Sequence, residues 1–249
     1  MRLVAWNCCA GPLDTKLAAV SALKADIAVV SESPRLPQQT PRQRWFGNDP
    51  RRGVAVLASS RFTLTAVRLR TPLPRWVIPI HVHGPVSFLL LAVWAKNEGA
   101  DRYVRGVVRG IRRLRRQIRR EPTVVLGDLN SNAIWDDEHP PGWNHSGLVT
   151  LLGQLGLVSA YHHWHREAHG AERRPTFFEY RHAHRPYHLD YCFLPRPWLP
   201  RLDAVRLGRF ARWKRWSDHL PLTCEVTLPP TGAPRAPART PPVSSRRVP

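Results

Sequence analysis

Eight short apolar runs, each closed by turn-forming residues, limit what this chain can fold into. They are RLVAWN (2–7), DIAVVSES (26–33), GVAVLAS (53–59), WVIPIHV (76–82), VSFLLLAVWA (86–95), TVVLGDLN (123–130), YHLDYCFL (187–194) and LTCEVTL (222–228). Each has the length of a strand. Many are continuously apolar rather than alternating, as strands covered on both faces are. None is long enough to span a membrane as a helix, and the first begins at the N-terminus with no apolar leader before it. A cytoplasmic protein without membrane insertion is expected, as a monomer.

Helical spacing fills three of the gaps. Residues 14–24 place Leu17, Ala19, Val20 and Leu23 on one face, with Asp14 as the expected N-cap. Residues 101–120 set Val104, Val107, Val108, Ile111, Leu114 and Ile118 at helical spacing. The opposite face is almost all arginine and reads as a solvated face rather than a grip on nucleic acid. Residues 147–158 predict a third helix. Strands interspersed with surface helices predict two packed sheets covered by helices, an α/β architecture in which central strand ends converge on one rim.

Composition sets the boundaries. The chain has 249 residues, 43% of them hydrophobic, enough for a sizeable core. The stretch 229–249, PPTGAPRAPARTPPVSSRRVP, has almost nothing to bury and is expected to be a disordered tail after a domain at 1–228. Thirty-eight basic residues stand against 18 acidic ones, a formal charge of +20. Such a field attracts polyanions, nucleic acid among them; a genome biased toward arginine codons is the competing explanation. Cys8, Cys9, Cys192 and Cys224 form no Cys-x-x-Cys pair, so ordinary reduced thiols are expected and a zinc site is not. His162, His163, His165 and His169 lack zinc-type spacing as well and read as a polar loop.

Polar residues recur where apolar runs end: Asn7, Glu32, Asp128, Asn130, Asp190, and then Asp218 and His219 just before the last run. Each alone has a bland reading; GDLN by itself is a turn signal. The sharper reading is that Asp128 and Asn130, two apart on a strand, share a face. Carboxylate and carboxamide oxygens are hard ligands suited to Mg²⁺ or Mn²⁺. Glu32 is the natural first ligand, with Asn7 alongside. Asp128 held by Asn130 suits a group that orients or deprotonates water. His219 held by Asp190 suits an imidazole of raised pKa that stabilises charge on phosphate oxygens.

At these residues the chain resembles the endonuclease/exonuclease/phosphatase superfamily, which includes exonuclease III-like enzymes and DNase I. WN near the start, SE at 31–32, GVAVL, GDLN, HLDY and SDH occur in that family's order across 1–228. The resemblance implies a four-layered α/β sandwich of two mainly antiparallel or mixed sheets flanked by helices. It also implies a divalent-metal-dependent phosphoesterase. It places Glu32 and Asn7 at the metal, with Asp218 as an additional ligand. Asp128 would orient or activate the water and Asn130 would contact phosphate, while Asp190 and His219 form the polarised pair. Trp94 stands where the family usually has Tyr or His against the phosphate, so Lys96 or Asn97 is expected to substitute. Cys9 stands where many nucleases carry Asp or Asn. Residues 176–193 resemble the exonuclease III-like segment whose aromatics contact nucleic acid. Phe177, Phe178 and Tyr180 therefore stack on bases or fill the core. RFARWKRWSDH (209–219), with Arg215, is the expected basic–aromatic grip on a phosphodiester backbone.

The expected function is a Mg²⁺- or Mn²⁺-dependent nuclease acting on DNA, or on RNA. The alternatives are a phosphatase or phosphodiesterase for a small-molecule or lipid-headgroup phosphate, and a non-catalytic nucleic-acid-binding module of the same fold.

Overall fold

Continuous apolar strands need cover on both faces, and the architecture supplies it. A computed structural model of the chain describes residues 1–99 and 102–227; the expected tail at 229–249 lies outside them. In chain order, the first half contains β1 (Arg2–Asn7), α1 (Leu13–Ser21), β2 (Ile27–Ser33), β3 (Gln43–Asp49), β4 (Arg52–Ala58), β5 (Thr63–Ala66), β6 (Val77–His83), β7 (Phe88–Trp94) and α2 (Val104–Ile118). The second half contains β8 (Thr123–Asp128), α3 (His145–Gln154), β9 (Leu157–Ser159), α4 (Ala160–His165), β10 (Phe177–Phe178), β11 (Pro186–Tyr187), β12 (Asp190–Pro195), β13 (Leu202–Leu207), α5 (Phe210–Trp213) and β14 (Leu222–Val226). One six-stranded sheet has the order β13-β14-β1-β2-β4-β3 and the other β5-β6-β7-β8-β12-β9. Both are mixed, with single parallel pairings at β1–β2 and β7–β8.

The strand period distributes the core into three layers. In β7, Leu90, Ala92 and Trp94 face the other sheet, where they meet residues such as Val29, Val56 and Leu222. Leu89, Leu91 and Val93 face outward and are covered by α2 and α3. Val4, Trp6, Ala28 and Val30 face outward from the first sheet and are covered by α1 and Trp213. Helix, sheet, sheet and helix make four layers, the predicted α/β sandwich. In α2 the apolar stripe from Val104 to Ile118 is buried. The arginine face looks out, and Arg112 lies over the Trp143 ring at 4.1 Å.

The structure departs from expectation in local detail. α1 starts at Leu13 with Pro12 at the N-cap, and no side chain caps it. Asp14 sits in the first turn instead, where its charge still complements the helix dipole. The third helix runs from His145, capped by Asn144 through a 2.9 Å bond from the Gly147 N–H, and stops at Gln154. Gly156 takes φ +80°, reversing the chain, and Leu157–Ser159 pairs with β12 rather than continuing the helix. Among the described residues no helix is long and apolar enough to cross a membrane.

Candidate active site

The two sheets bring the ends of β1, β2, β8 and β12 together. β8 can end where it does because of Gly127, which lies beside Val93 of β7 with φ +140°. A Cβ there would fall 2.0 Å from the Val93 carbonyl oxygen, so only glycine allows the strands this close. Asp128 follows at once and is fully buried. The bond between Asp128 and Asn130 arises differently from a shared strand face. β8 ends at Asp128, and Asn130 has a left-handed backbone, φ +42°. Its N–H donates to Asp128 Oδ1 at 2.8 Å and its Nδ2 to Oδ2 at 2.9 Å. The turn itself holds the carboxylate, so the turn reading and the site reading of GDLN describe one arrangement.

Glu32 reaches the same place through a bulge. The β2–β4 register shifts between Ser31 and Ser33, and Glu32 takes φ +54°. A bulge re-aims a side chain that the strand period would send elsewhere. Cys9, Ala10, Glu32 and Asn130 all carry positive φ. Such backbone is costly for residues other than glycine and gathers at functional sites.

Asn7 lies between the carboxylates. Its Nδ2 donates to Asp128 Oδ2 at 3.0 Å and to Glu32 Oε1 at 3.2 Å, while its oxygen accepts the Cys9 N–H. Asp190 pairs with Asp128 across β8 and β12 and accepts from His219 Nδ1 at 2.8 Å. The His219 segment is fixed by Ser217, whose hydroxyl donates to the Asn7 carbonyl at 2.7 Å and accepts the His219 N–H at 2.9 Å. The Trp6 indole donates to the His219 carbonyl. Asp218 is half-buried next to Ser217.

The electrostatics follow from burial among like groups. Burial pushes the Asp128 carboxyl up to about 7, with Asp190 adding to the rise and His219 opposing it. Burial alone would lower His219, but Asp190 and Asp128 outweigh it and hold the imidazole at about 9. His219 is therefore an imidazolium at neutral pH. One carboxylate oxygen, Asp190 Oδ1, is buried without a partner. Asp128, Asp190 and His219 have donor atoms within 4.8 Å of one another. Glu32 itself meets the Asn7 amide nitrogen at 3.2 Å and Arg52 at 3.8 Å; its carboxylate and that of Asp128 are the hard oxygen donors that a divalent cation takes.

Other expected contacts fall elsewhere. Trp94 is buried between the sheets against Trp76, ring centroids 4.7 Å apart. Lys96 pairs with Glu98 at 3.0 Å and lies over the Trp94 and Trp76 rings. Asn97 is exposed and accepts from Arg102. Phe178 is core, packed on Phe210 at 4.2 Å, and is not open to a base. Its neighbours take the two other aromatic positions: Phe177 packs on the His219 ring at 4.6 Å, and Tyr180 is 72% exposed. In the basic–aromatic patch Trp213 turns inward onto Trp6, while Arg215 stays exposed over Trp216 at 3.9 Å.

Sequence reasoning missed the cleft beside the site. It encloses about 560 Å³ and is lined by Asn130, Phe177, Trp135, Tyr187, Arg102 and Arg105, among others. Trp135 sits in a short 3₁₀ helix after the GDLN turn and packs on Tyr187 at 5.1 Å. The segment that carries Trp135 has neither helical nor strand periodicity to single it out.

No family model and no curated protein matches the sequence. Solved structures do match the fold. The endonuclease domain of TRAS1, a telomere-specific non-LTR retrotransposon, superposes with TM-score 0.66 at 18% identity, covering 91% of this chain and 98% of that one. The chain has the fold of the endonuclease/exonuclease/phosphatase superfamily. A 3'-5' exonuclease from Neisseria meningitidis shares this DNase I-like fold with TM-score 0.64 at 20% identity, over 92% of this chain and all of that one. An AP endonuclease from Archaeoglobus fulgidus gives 0.63 at 18%, over 92% and 100%.

Proposed function

We propose that this chain is a divalent-metal-dependent phosphodiesterase that hydrolyses DNA. The observation that carries the reading is the convergence of Asn7, Glu32, Asp128, Asn130, Asp190 and His219 from strands far apart in sequence. Each by itself has a structural explanation; their meeting beside a cleft lined with arginine and aromatic side chains does not. The similar folds include an AP endonuclease and a 3' phosphatase bound to a product DNA hairpin, and that supports the choice of DNA.

Glu32 and Asn7 would hold Mg²⁺ or Mn²⁺, with Asp218 as an additional ligand; for Asn7 this exchanges the two ends of its amide. Held by these residues, such an ion would supply positive charge to the phosphate oxygens as the P–O bond breaks. Asp128, poised near neutrality and held by Asn130, orients the attacking water and takes its proton. His219, kept positive by Asp190, donates a hydrogen bond to a phosphate oxygen as its charge grows. Phe177 bounds the imidazole on the cleft side and limits water around it. Arg102, Arg105 and Arg215 supply positive charge for the strand backbone.

The test uses supercoiled plasmid, an abasic-site duplex and a panel of phosphomonoesters, each with Mg²⁺, Mn²⁺ or chelator. The expected result is metal-dependent cleavage of the DNA substrates, abolished by Glu32→Ala and by His219→Ala in proteins that still melt cooperatively. Release of inorganic phosphate alone would replace this reading with that of a phosphatase. Salt-sensitive DNA binding without turnover would replace it with that of a binding module.

A further inference from the structure

A second cluster of titratable side chains lies behind the GDLN turn, and the proposed chemistry makes no use of it. It was expected to be a polar loop. Instead α4 carries His162 inward, and the chain after it returns to bring His169 and Glu172 alongside. The donor atoms of these three residues lie within 4.8 Å of one another. The side chains of His162 and Glu172 are only 8% and 4% exposed. His145 and His188, both buried, complete the surround.

The hydrogen bonds around the cluster are those of metal-binding histidines. Such a histidine holds one ring nitrogen with a hydrogen-bond partner and leaves the other for the ion. His162 Nδ1 meets Ser159 Oγ at 2.7 Å, and its Nε2 donates to Glu172 Oε1 at 2.9 Å, a bond whose proton a metal ion would displace. His169 Nδ1 meets His145 Nε2 at 2.9 Å, leaving its own Nε2. His188 Nδ1 lies 2.9 Å from the Arg174 carbonyl, so it carries the proton; its Nε2 is a bare lone pair, buried and without a partner. Glu172 is braced by Asn132 Nδ2 and the Gly170 N–H on Oε2. Among the described residues its one ion-pair partner is His162. A carboxylate this buried, with a single ion-pair partner, is a place where a dication would be stabilised.

We propose that His162, His169 and Glu172 bind a Zn²⁺ ion through three protein ligands, at a place distinct from the hard-cation site at Glu32. Two imidazoles and a carboxylate form a common zinc donor set, and imidazole favours zinc over magnesium. Tetrahedral zinc with ligand bonds near 2.1 Å spaces its donors by about 3.4 Å. The 2.9 Å contact of His162 and Glu172 opens only slightly to admit it, and the rings of His162 and His169, stacked at 3.5 Å, tilt apart. His188 is the nearest further imidazole with a free lone pair, its ring 5.9 Å from that of His162. The consequence reaches the active site. Glu172 holds Asn132, and His145 holds Ser131 through a 2.9 Å bond; both partners follow Asn130 directly. The ion clamps the turn that fixes Asp128.

The experiment reads zinc and not turnover, so it stands or falls apart from the phosphodiesterase reading. Untagged full-length protein, purified without immobilised metal, is stripped with chelator and titrated with Zn²⁺, following melting temperature, and with Co²⁺, following visible absorption. Wild type is expected to take up about one zinc per chain with Kd at or below about 1 μM, to melt higher when loaded, and to show tetrahedral Co²⁺ bands. Asp190→Asn, which breaks the other cluster, is expected to keep the zinc; His169→Ala and Glu172→Gln are expected to lose it. No uptake by stripped wild type overturns the proposal whether or not the variants fold. Equal uptake by Glu172→Gln, or loss in Asp190→Asn, overturns it too.

Discussion

Two buried polar clusters lie on either side of one turn, residues 129–132, and their neighbours shift their histidines in opposite directions. On one side His219 is held at about 9. On the other, burial brings His145 and His188 down to about 4 and His169 to about 2. Desolvation disfavours the charged imidazole in both places. The difference is direct contact with a carboxylate. His219 Nδ1 is hydrogen-bonded to Asp190 at 2.8 Å, with buried Asp128 beside it. His145 and His169 bond each other and His188 bonds the Arg174 carbonyl, so Asp136, Glu172 and Asp190 act on them only from further off, and the rings repel one another's charge. One protein interior therefore makes a fixed cation on one side and the neutral rings of His145, His169 and His188 on the other.

The strongest way to break this contrast is to remove the carboxylate that creates it. Asp190→Asn leaves the shape of the β12 end nearly unchanged but takes away the charge 2.8 Å from His219 Nδ1. Burial then prevails, and the imidazole becomes neutral at pH 7. Turnover on plasmid DNA is expected to fall by about 10²–10⁴-fold, the usual worth of a positioned acid or base. An NMR titration of His219 should show its pKa moving down toward the values of the other cluster. A variant that keeps a turnover within about threefold of wild type would show that the imidazolium plays no part in the chemistry.

The pH dependence of stability should separate the clusters without mutation. His219 has a folded pKa of about 9, above the ordinary 6.5. Its contribution is fully present below pH 6.5 and is lost as pH rises from there through 9. The pKa values of His145, His169 and His188 are depressed, to about 4, 2 and 4. The unfolded chain takes up those protons below pH 6.5 while the native state does not, so stability falls as pH drops from 6.5 toward 4. Metal-free protein should melt highest near neutrality, with Asp190→Asn flattening the alkaline arm and leaving the acid arm. Thermal melts from pH 4.5 to 9.5 check both arms; an acid arm that vanishes with Asp190→Asn would mean the two clusters titrate as one.

The same contrast explains what the sequence could reveal. A strand forms in each of the eight predicted runs, most of them continuously apolar and buried on both faces; LTCEVTL alternates instead, and YHLDYCFL is divided between β11 and β12. β3, β5, β9 and β13 were not predicted. They lie at sheet edges or next to them, and their burial is sparse, as in QRWFGND and TLTA. The strand-end cluster was legible for a related reason: Asn7, Glu32, Asp128 and Asp190 interrupt apolar runs, and a polar residue in that place needs an explanation. The reason for Asn130's position was not legible, since a left-handed turn and a strand face predict the same neighbour. Phe178 was left between base and core because aromatics serve both, and Trp94 was placed near substrate by its position in the family's order; packing on Phe210 and Trp76 puts both in the core. The histidine cluster was visible only in part: His162 and His169 stand close in sequence but without zinc-type spacing, so they read as a polar loop. Its members come from α3, α4, a returning loop and the approach to β12, and no spacing rule connects residues that meet only after the sheet has formed.

The smallest effect concerns the outer rim of the hard-cation side. Arg215 is exposed, with its guanidinium flat over Trp216 at 3.9 Å, three residues before Asp218. It has no place in the strand-end hydrogen bonds, so it can act on DNA only through charge. The stack on Trp216 limits its rotamers, which lowers the entropy lost when it meets a phosphate. Arg215→Gln should weaken DNA binding by about two- to fivefold at low salt, equally for all sequences, and reduce the slope of log affinity against log salt by about one. Turnover at saturating DNA should stay the same, and so should zinc content. A sequence-dependent loss, or a fall in saturated turnover, would move Arg215 from the backbone track into the reacting site and bring the edge of the active site three residues further out along the chain than the geometry of Asp218 and His219 now places it.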